Sequence, residues 1–396
     1  RRIGKNAGEP EDGGTAVLAA GGEGQRDAGT DEQGQQAHGP QTGPEQLPDV
    51  PGQEERPQAG IEIAGRHQMG DGLQDGRHAV DVEHEARQQQ GGQEAGKKPG
   101  LGGLQLAVQA HGDEQALPQG GVSNAEIIYE IPAEGGVTRM IAIFTDISDV
   151  EKIGSLRSIR PYYADVGISY DAIVIHAGGS QESYTEMSGY DVDHLDGVLG
   201  TYVEGAFYRD PDRMHYGIEH SLFSIGAKLI EAAEDEGFSL THEGGAYDYG
   251  LTFSEDAADQ CTGEATYAEI GYNSFKTTSF EYNDNNGLYY AYEYGSEYVD
   301  DAAGVQMTFK NLLFLTTDVS VIDDAGRLSV RTTGTGEGYF VCGGKCVEIT
   351  WERDSNTEPF HYYLKDGTPL DLGIGTTYVG IRPGYGSSVS FVKEEE

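Results

Sequence analysis

The chain has 396 residues, enough for roughly two or three domains, and sets 67 Asp and Glu against 26 Lys and Arg, a formal net charge of −41. Charge of that sign repels nucleic-acid phosphates and anionic lipid headgroups alike, which excludes DNA, RNA and charge-driven membrane binding as functions. No run of about 18 apolar residues exists to make a transmembrane helix, and the first residues lack the charged-then-apolar pattern of a signal peptide.

Residues 1 to about 115 do not read as a folded domain. They are rich in Gly, Gln, Glu and Ala; the first serine is Ser123 and the first aromatic is Tyr129. A segment with so little to bury cannot offset the entropy of ordering its backbone, so a disordered tail is expected. The missing serines are unusual even for such a tail, and we read the segment as non-native, for example a translation in the wrong frame or on the wrong strand.

Past Leu117 the character changes. Glu126 to Ile131 has the bulk and β-branching of a strand. Pro132 to Gly136 is a turn carrying Glu134, and the nearly continuous apolar run Val137 to Phe144 predicts a second, buried strand. Asp146 to Ile153 is a polar connection. Pro161 suits the first turn of a helix running to about Ser169. Asp171 to His176 is a third strand, and Ala177-Gly178-Gly179-Ser180 turns from it into a helix. This order predicts an α/β layer over about 116–240 with a mixed or parallel sheet. Asp191 to Thr201 reads as acidic loop, and Ser221 as the N-cap of a helix through Ala233 that Gly237 ends.

From about Thr241 to residue 390, Tyr, Thr, Val and Phe dominate, with Asn-Asn-Gly, Asp-Ala-Gly and Lys-Asp-Gly as hairpin signals. An antiparallel, β-rich second domain follows, making the whole an α+β protein. Cys342 and Cys346 flank Gly-Gly-Lys, a three-residue hairpin loop that would set them facing each other as a disulfide or a free thiol pair. Zinc would need two further soft ligands nearby, so no metal is expected. No cofactor is expected either.

Several blocks, in order, resemble one family: LPQGGVSNAEIIYE (Leu117 to Glu130), EGGVTR (Glu134 to Arg139), EKIGSLRSIRPYY (Glu151 to Tyr163), YDAIVIHAGGS (Tyr170 to Ser180), FYRDPDR (Phe207 to Arg213), Gly326-Arg327 and GTGEGYF (Gly334 to Phe340). Over Leu117 to about Pro383 the chain resembles the YerB-like lipoproteins, a bacterial envelope family with a domain of unknown function. The resemblance implies an α/β domain followed by a β-rich one. It also implies an exported, extracytoplasmic protein whose only membrane attachment is a lipid on an N-terminal cysteine, an anchor not visible in this chain. Where the family carries its leader and first strand, this chain has the unusual first segment, with Leu106 to Gln119 as an echo of that strand. Where the family tends to have Pro-His-Asn, this chain has Glu219-His220-Ser221.

Against this background the candidate site residues divide into four groups. His176 with Gly178, Gly179 and Ser180 would make an anion pocket at a helix N-terminus, or else a tight turn with Ser180 as a plain N-cap. Arg157 and Arg160, three apart, would share a helical face and clamp a carboxylate or phosphate, or pair with internal carboxylates. Glu134 and Arg139 bracket a Gly-Gly turn as acid/base and charge stabiliser, or as a salt bridge. Arg209, Asp210, Arg213 and His220 form a charged patch on the far wall of the same cleft, or an ordinary helix approach. A Ser180-based triad lacks the G-x-S-x-G elbow.

Three readings follow. The first is a non-enzymatic envelope lipoprotein binding an anionic or cell-wall-derived ligand through Arg139, Arg157, Arg160, His176, Gly178 to Ser180, Arg209 and His220. The second is an envelope hydrolase with Glu134 and His176 as acid and base. The third is a structural or partner-binding module.

Overall fold

The computed structural model describes residues 106–112 (backbone), 117–242 and 247–393. The expected tail therefore lies mostly outside the described residues, as do 394–396. The exception is β1 (Leu106–Gly112), a strand inside the segment read as low-complexity. It runs antiparallel to β3 (Thr138–Phe144) and parallel to β4 (Ile173–His176). The boundary drawn near 115 thus falls after the first strand of the sheet. The family resemblance marks Leu106 to Gln119 as an echo of a strand, whereas Gln and His alternating with Ala and Val give it no clear apolar pattern.

An 11-stranded mixed sheet organises the fold. β2 (Ile127–Pro132) pairs with β3 on one side and, in parallel, with β16 (Thr377–Pro383) on the other. From β16 the sheet continues through β10 (Asn311–Thr317) into the hairpin β13 (Gly334–Cys342) and β14 (Lys345–Arg353). β15 (His361–Leu364) lies beside β14. The helix-bearing and β-only stretches are therefore joined across the expected division near 240 by one continuous sheet.

β2 and β3 are buried along their whole length because both faces are covered, which is why their sequence is a run rather than an alternation. On one face Ile128, Phe144, Phe314 and Tyr378 join Leu229 and Ala232 of α3 (Gly226–Glu236), together with Ile270 and Phe280 of a second sheet. That sheet is built on β7 (Tyr267–Gly271), β8 (Thr277–Asn283) and β9 (Leu288–Glu293). On the other face Tyr129, Ile141, Val174 and Val379 join Tyr163 and Val166 of α1 (Pro161–Ile168).

β4, α2 (Gln181–Gly189) and β5 (His194–Asp196) form a parallel crossover unit. β5 falls within the stretch read as loop, since His-Leu-Asp carries little strand signal. The helix expected from Ser221 begins later. β6 (Leu222–Ser224) is a strand pairing with Ile153–Gly154 and Phe207–Arg209, and α3 starts at Gly226. A glycine is required there, because a Cβ would stand 1.7 Å from the Ile147 carbonyl oxygen. Gly237 ends α3 in the left-handed conformation, as expected.

The cysteine geometry differs from the expectation. The hairpin turns through Gly343-Gly344 alone, with φ of 62° and 74°, a two-residue turn that glycine makes easily. Cys342 therefore pairs with Lys345, and Cys346 with Val341. The two thiols join opposite faces of the sheet, one in each core cluster, and all three cysteines are free and buried.

A buried charge cluster fastens the two sheets together. Glu130 on β2 lies 2.8 Å from the Lys276 ammonium, which also pairs with Glu293 on β9. Glu130 accepts further hydrogen bonds from Thr138, Thr278 and Tyr378.

Candidate functional site

The expected cationic cleft resolves into separate arrangements. Arg160 caps the start of α1 in extended conformation, and its guanidinium binds Glu134. Glu134 also pairs with Arg139 at 3.3 Å. Arg139 donates to the Ser158 carbonyl (2.7 Å) and Arg160 to the Ile159 carbonyl (2.9 Å). One carboxylate thus holds two arginines, which in turn tie down the 157–160 segment. Burial pulls the Glu134 carboxyl upward, but the Arg160 hydrogen bond and the Arg139 charge hold it below the usual glutamate range. It stays ionised, which suits a clasp better than a proton donor.

Arg157 does not share a face with Arg160. The segment before Pro161 is extended, pairing with 177–180 through Ala177 N to Arg157 O (3.0 Å) and Ile159 N to Gly178 O (3.0 Å), so helical spacing does not apply. Arg157 instead helps hold the exposed Glu219 carboxyl low, after the Glu219 amide and the neighbouring His220. Arg209 donates to the Ile218 carbonyl, and His220 is buried. Arg157, Arg209 and His220 thus belong to the loop around 218–221 rather than to the Glu134 centre.

His176 is wholly buried. Its Nδ1 lies 2.9 Å from the Gly178 carbonyl and its Nε2 3.1 Å from Nδ1 of His194. Burial pushes its pKa down to about 4, against the pull of Asp196, so the imidazole is neutral near pH 7. Asp196 accepts from the Gly178 amide (2.7 Å), the Val198 amide (2.9 Å) and the Tyr184 hydroxyl (2.6 Å). Two of the turn amides sought for an anion are occupied, Gly178 N by Asp196 and Ser180 N by the Ile159 carbonyl. Ser180 is the N-cap of α2, its Oγ accepting from the Ser183 amide at 3.2 Å. Ser180→Ala is expected to lower unfolding free energy by about 1 kcal/mol, measured by chemical denaturation.

Arg160 and Ser180 do meet at an opening, though not with the partners expected. They wall a cavity of about 160 Å³ between α1, α2 and the hairpin β11 (Val319–Val321) and β12 (Leu328–Val330). Inside are Asp165 of α1 and Glu186 of α2; Arg327 stands at the rim. Asp165 is 6% exposed. Its Oδ2 accepts from the Thr332 hydroxyl (2.7 Å), while its Oδ1 has no hydrogen-bond partner among the described residues. Burial first, then the Glu186 charge, pushes Asp165 up to about 7, against Thr332 and Arg353. Glu186 accepts from the Asn356 amide at 2.9 Å. Arg327 pairs with Glu182 (2.9 Å) and Asp323, on an exposed surface.

Sequence reasoning missed Asp165 and Glu186. One signal was present: an aspartate in the middle of the otherwise apolar helix PYYADVGI. Among the described residues no group of three or more His, Cys, Asp or Glu gathers as a metal site.

Residues 86–239 match the description "Protein of unknown function (DUF3048) N-terminal domain", and residues 268–379 match its C-terminal domain. The first match begins upstream of the boundary expected near 115. The Bacillus subtilis (strain 168) protein named "Putative lipoprotein YerB" is 26% identical over 284 residues, 70% of this chain and 81% of that protein. The crystal structure of YerB from Bacillus subtilis aligns with a TM-score of 0.64 at 24% identity, covering 73% of this chain and 94% of that one, a likeness of fold.

Proposed function

We propose, for a chain that belongs to the YerB-like family of proteins of unknown function (DUF3048), a non-enzymatic role at the extracytoplasmic face of the cell envelope, binding a cell-wall-derived ligand. The envelope placement draws on the relative named as a lipoprotein. The observation that carries the binding role is the cavity flanked by Arg160, Ser180 and Arg327, residues contributed by distant parts of the chain. Surface ion pairs such as Arg327 with Glu182 contribute little and exchange readily. A carboxylate on the ligand can therefore replace Glu182 on the Arg327 guanidinium with little loss, which keeps an anionic group in the reading.

Arg327→Ala is expected to reduce retention of solubilised cell-wall fragments by the full-length protein at least about fivefold. Its unfolding free energy should stay within about 0.5 kcal/mol of the parent, as for surface substitutions generally. Unchanged retention removes this reading.

A hydrolase using Glu134 and His176 has less support, since one is a clasped carboxylate and the other a buried neutral imidazole. A partner-binding module is favoured by a different observation: Met214, Tyr216 and Ile218 are 44%, 44% and 60% exposed along one loop.

A further inference from the structure

We infer that the interior of this cavity recognises a primary ammonium group, held between the carboxylates of Asp165 and Glu186. The inference rests on the cavity being the ligand site and deepens it by naming the group that enters.

Both guanidinium groups at the cavity wall already have carboxylates: Arg160 has Glu134, and Arg327 has Asp323 and Glu182. Arg353 reaches Asp165 only through the main-chain carbonyl, at 2.6 Å. Beyond each other and the more distant Arg353 charge, the two inner carboxyls have only neutral donors, Thr332 for one and the Asn356 side chain for the other. With both carboxyls ionised, Asp165 Oδ1 has no donor among the described residues; only a proton shared with the Glu186 carboxyl supplies one, although the side chain is almost fully buried. Such an oxygen costs stability unless a donor arrives.

Two carboxyls side by side are relieved either by a proton or by a cation. An ammonium supplies three donors on one compact charge. Pro161, Tyr162, Leu328 and Val330 give the opening an apolar lining that suits the methylene stem behind such a group.

The groups facing Asp165 are Glu186 from α2, Thr332 ahead of β13, and Arg353 from β14; only Glu186 adds to the negative charge. At neutral pH Asp165 is partly protonated, so an entering ammonium must displace that proton. Binding then releases a proton and strengthens as pH rises.

The test uses the full-length protein, titrated calorimetrically with 1,5-diaminopentane and with 1,5-pentanediol at about pH 6 and about pH 8. The diamine is fully charged at both. It is expected to bind about tenfold more tightly at the higher pH, with a binding enthalpy that varies with the buffer's ionisation enthalpy. The diol is expected not to bind. Glu186→Gln should weaken diamine binding at least about tenfold. Ile322→Trp, at an exposed lining position, should block it without disturbing the fold. Equal binding of the diol, or diamine affinity indifferent to Glu186→Gln and to pH, overturns the inference.

Cell-wall fragments with free or acetylated amines separate the two levels. Equal retention of both forms overturns the ammonium and leaves the ligand site standing. Diamine bound with no fragment retained leaves the ammonium pocket and removes the cell-wall reading.

Discussion

Lys276→Met is expected to lower the unfolding free energy by about 3–5 kcal/mol, measured by denaturant titration at neutral pH. Lys276 and Glu130 are fully buried and Glu293 nearly so. Removing the ammonium leaves two carboxyls in a buried site with hydroxyl donors only. A loss below about 1 kcal/mol would show that the carboxyls are satisfied without the lysine.

The same cluster gives stability a pH dependence. Burial, then repulsion from Glu130, pushes Glu293 up from 4.5 to about 8, against the Lys276 ammonium. The folded protein therefore holds a proton there that the unfolded chain has released. That contribution is complete below about pH 4.5 and is lost as pH rises towards about 8. Glu130 shifts the other way: burial raises it, but Lys276, Thr138 and Tyr378 hold it low, so its contribution is lost on acidification instead. Glu293→Gln, neutral at every pH, should flatten the decline between pH 4.5 and 8.

The second large effect is expected at Glu134. Glu134→Ala should cost about 3 kcal/mol, because it strands two guanidinium groups, Arg139 and Arg160, whose side chains are only 8% and 16% exposed. The 157–160 segment, held by both arginines, should loosen with it and expose its amides to faster hydrogen exchange. Unchanged thermal unfolding with altered ligand retention would instead mark Glu134 as a group kept for chemistry.

What the sequence made legible was local. The unbroken apolar run through Phe144 announced a strand covered on both faces. Pro161 opened a helix, Ser180 capped the next, and Gly237 closed α3. Each depends on residues within a few positions of one another. The Glu134–Arg139 salt bridge across its turn was legible too, and so was pairing of Arg160 with an internal carboxylate, but the rest of the charge arrangement was not, because its partners are distant. Asp165 meets Thr332 and Arg353, Glu186 meets Asn356, and Glu130 meets Lys276. Spacing misled at Arg157 and Arg160, where a pattern read as helical lies in an extended segment. It misled at Cys342 and Cys346 as well, where a turn one residue shorter than assumed sends the second thiol to the opposite face.

The parallel pairing of Ile127 to Glu130 with Thr377 to Gly380 brings residues about two-thirds of the chain apart into one ladder. The two matched family regions meet along that seam, so neither can be excised cleanly. A gene cut between them would yield two fragments, each ending in a torn row of unpaired amides and carbonyls. Such fragments would be prone to stick to one another or to copies of themselves.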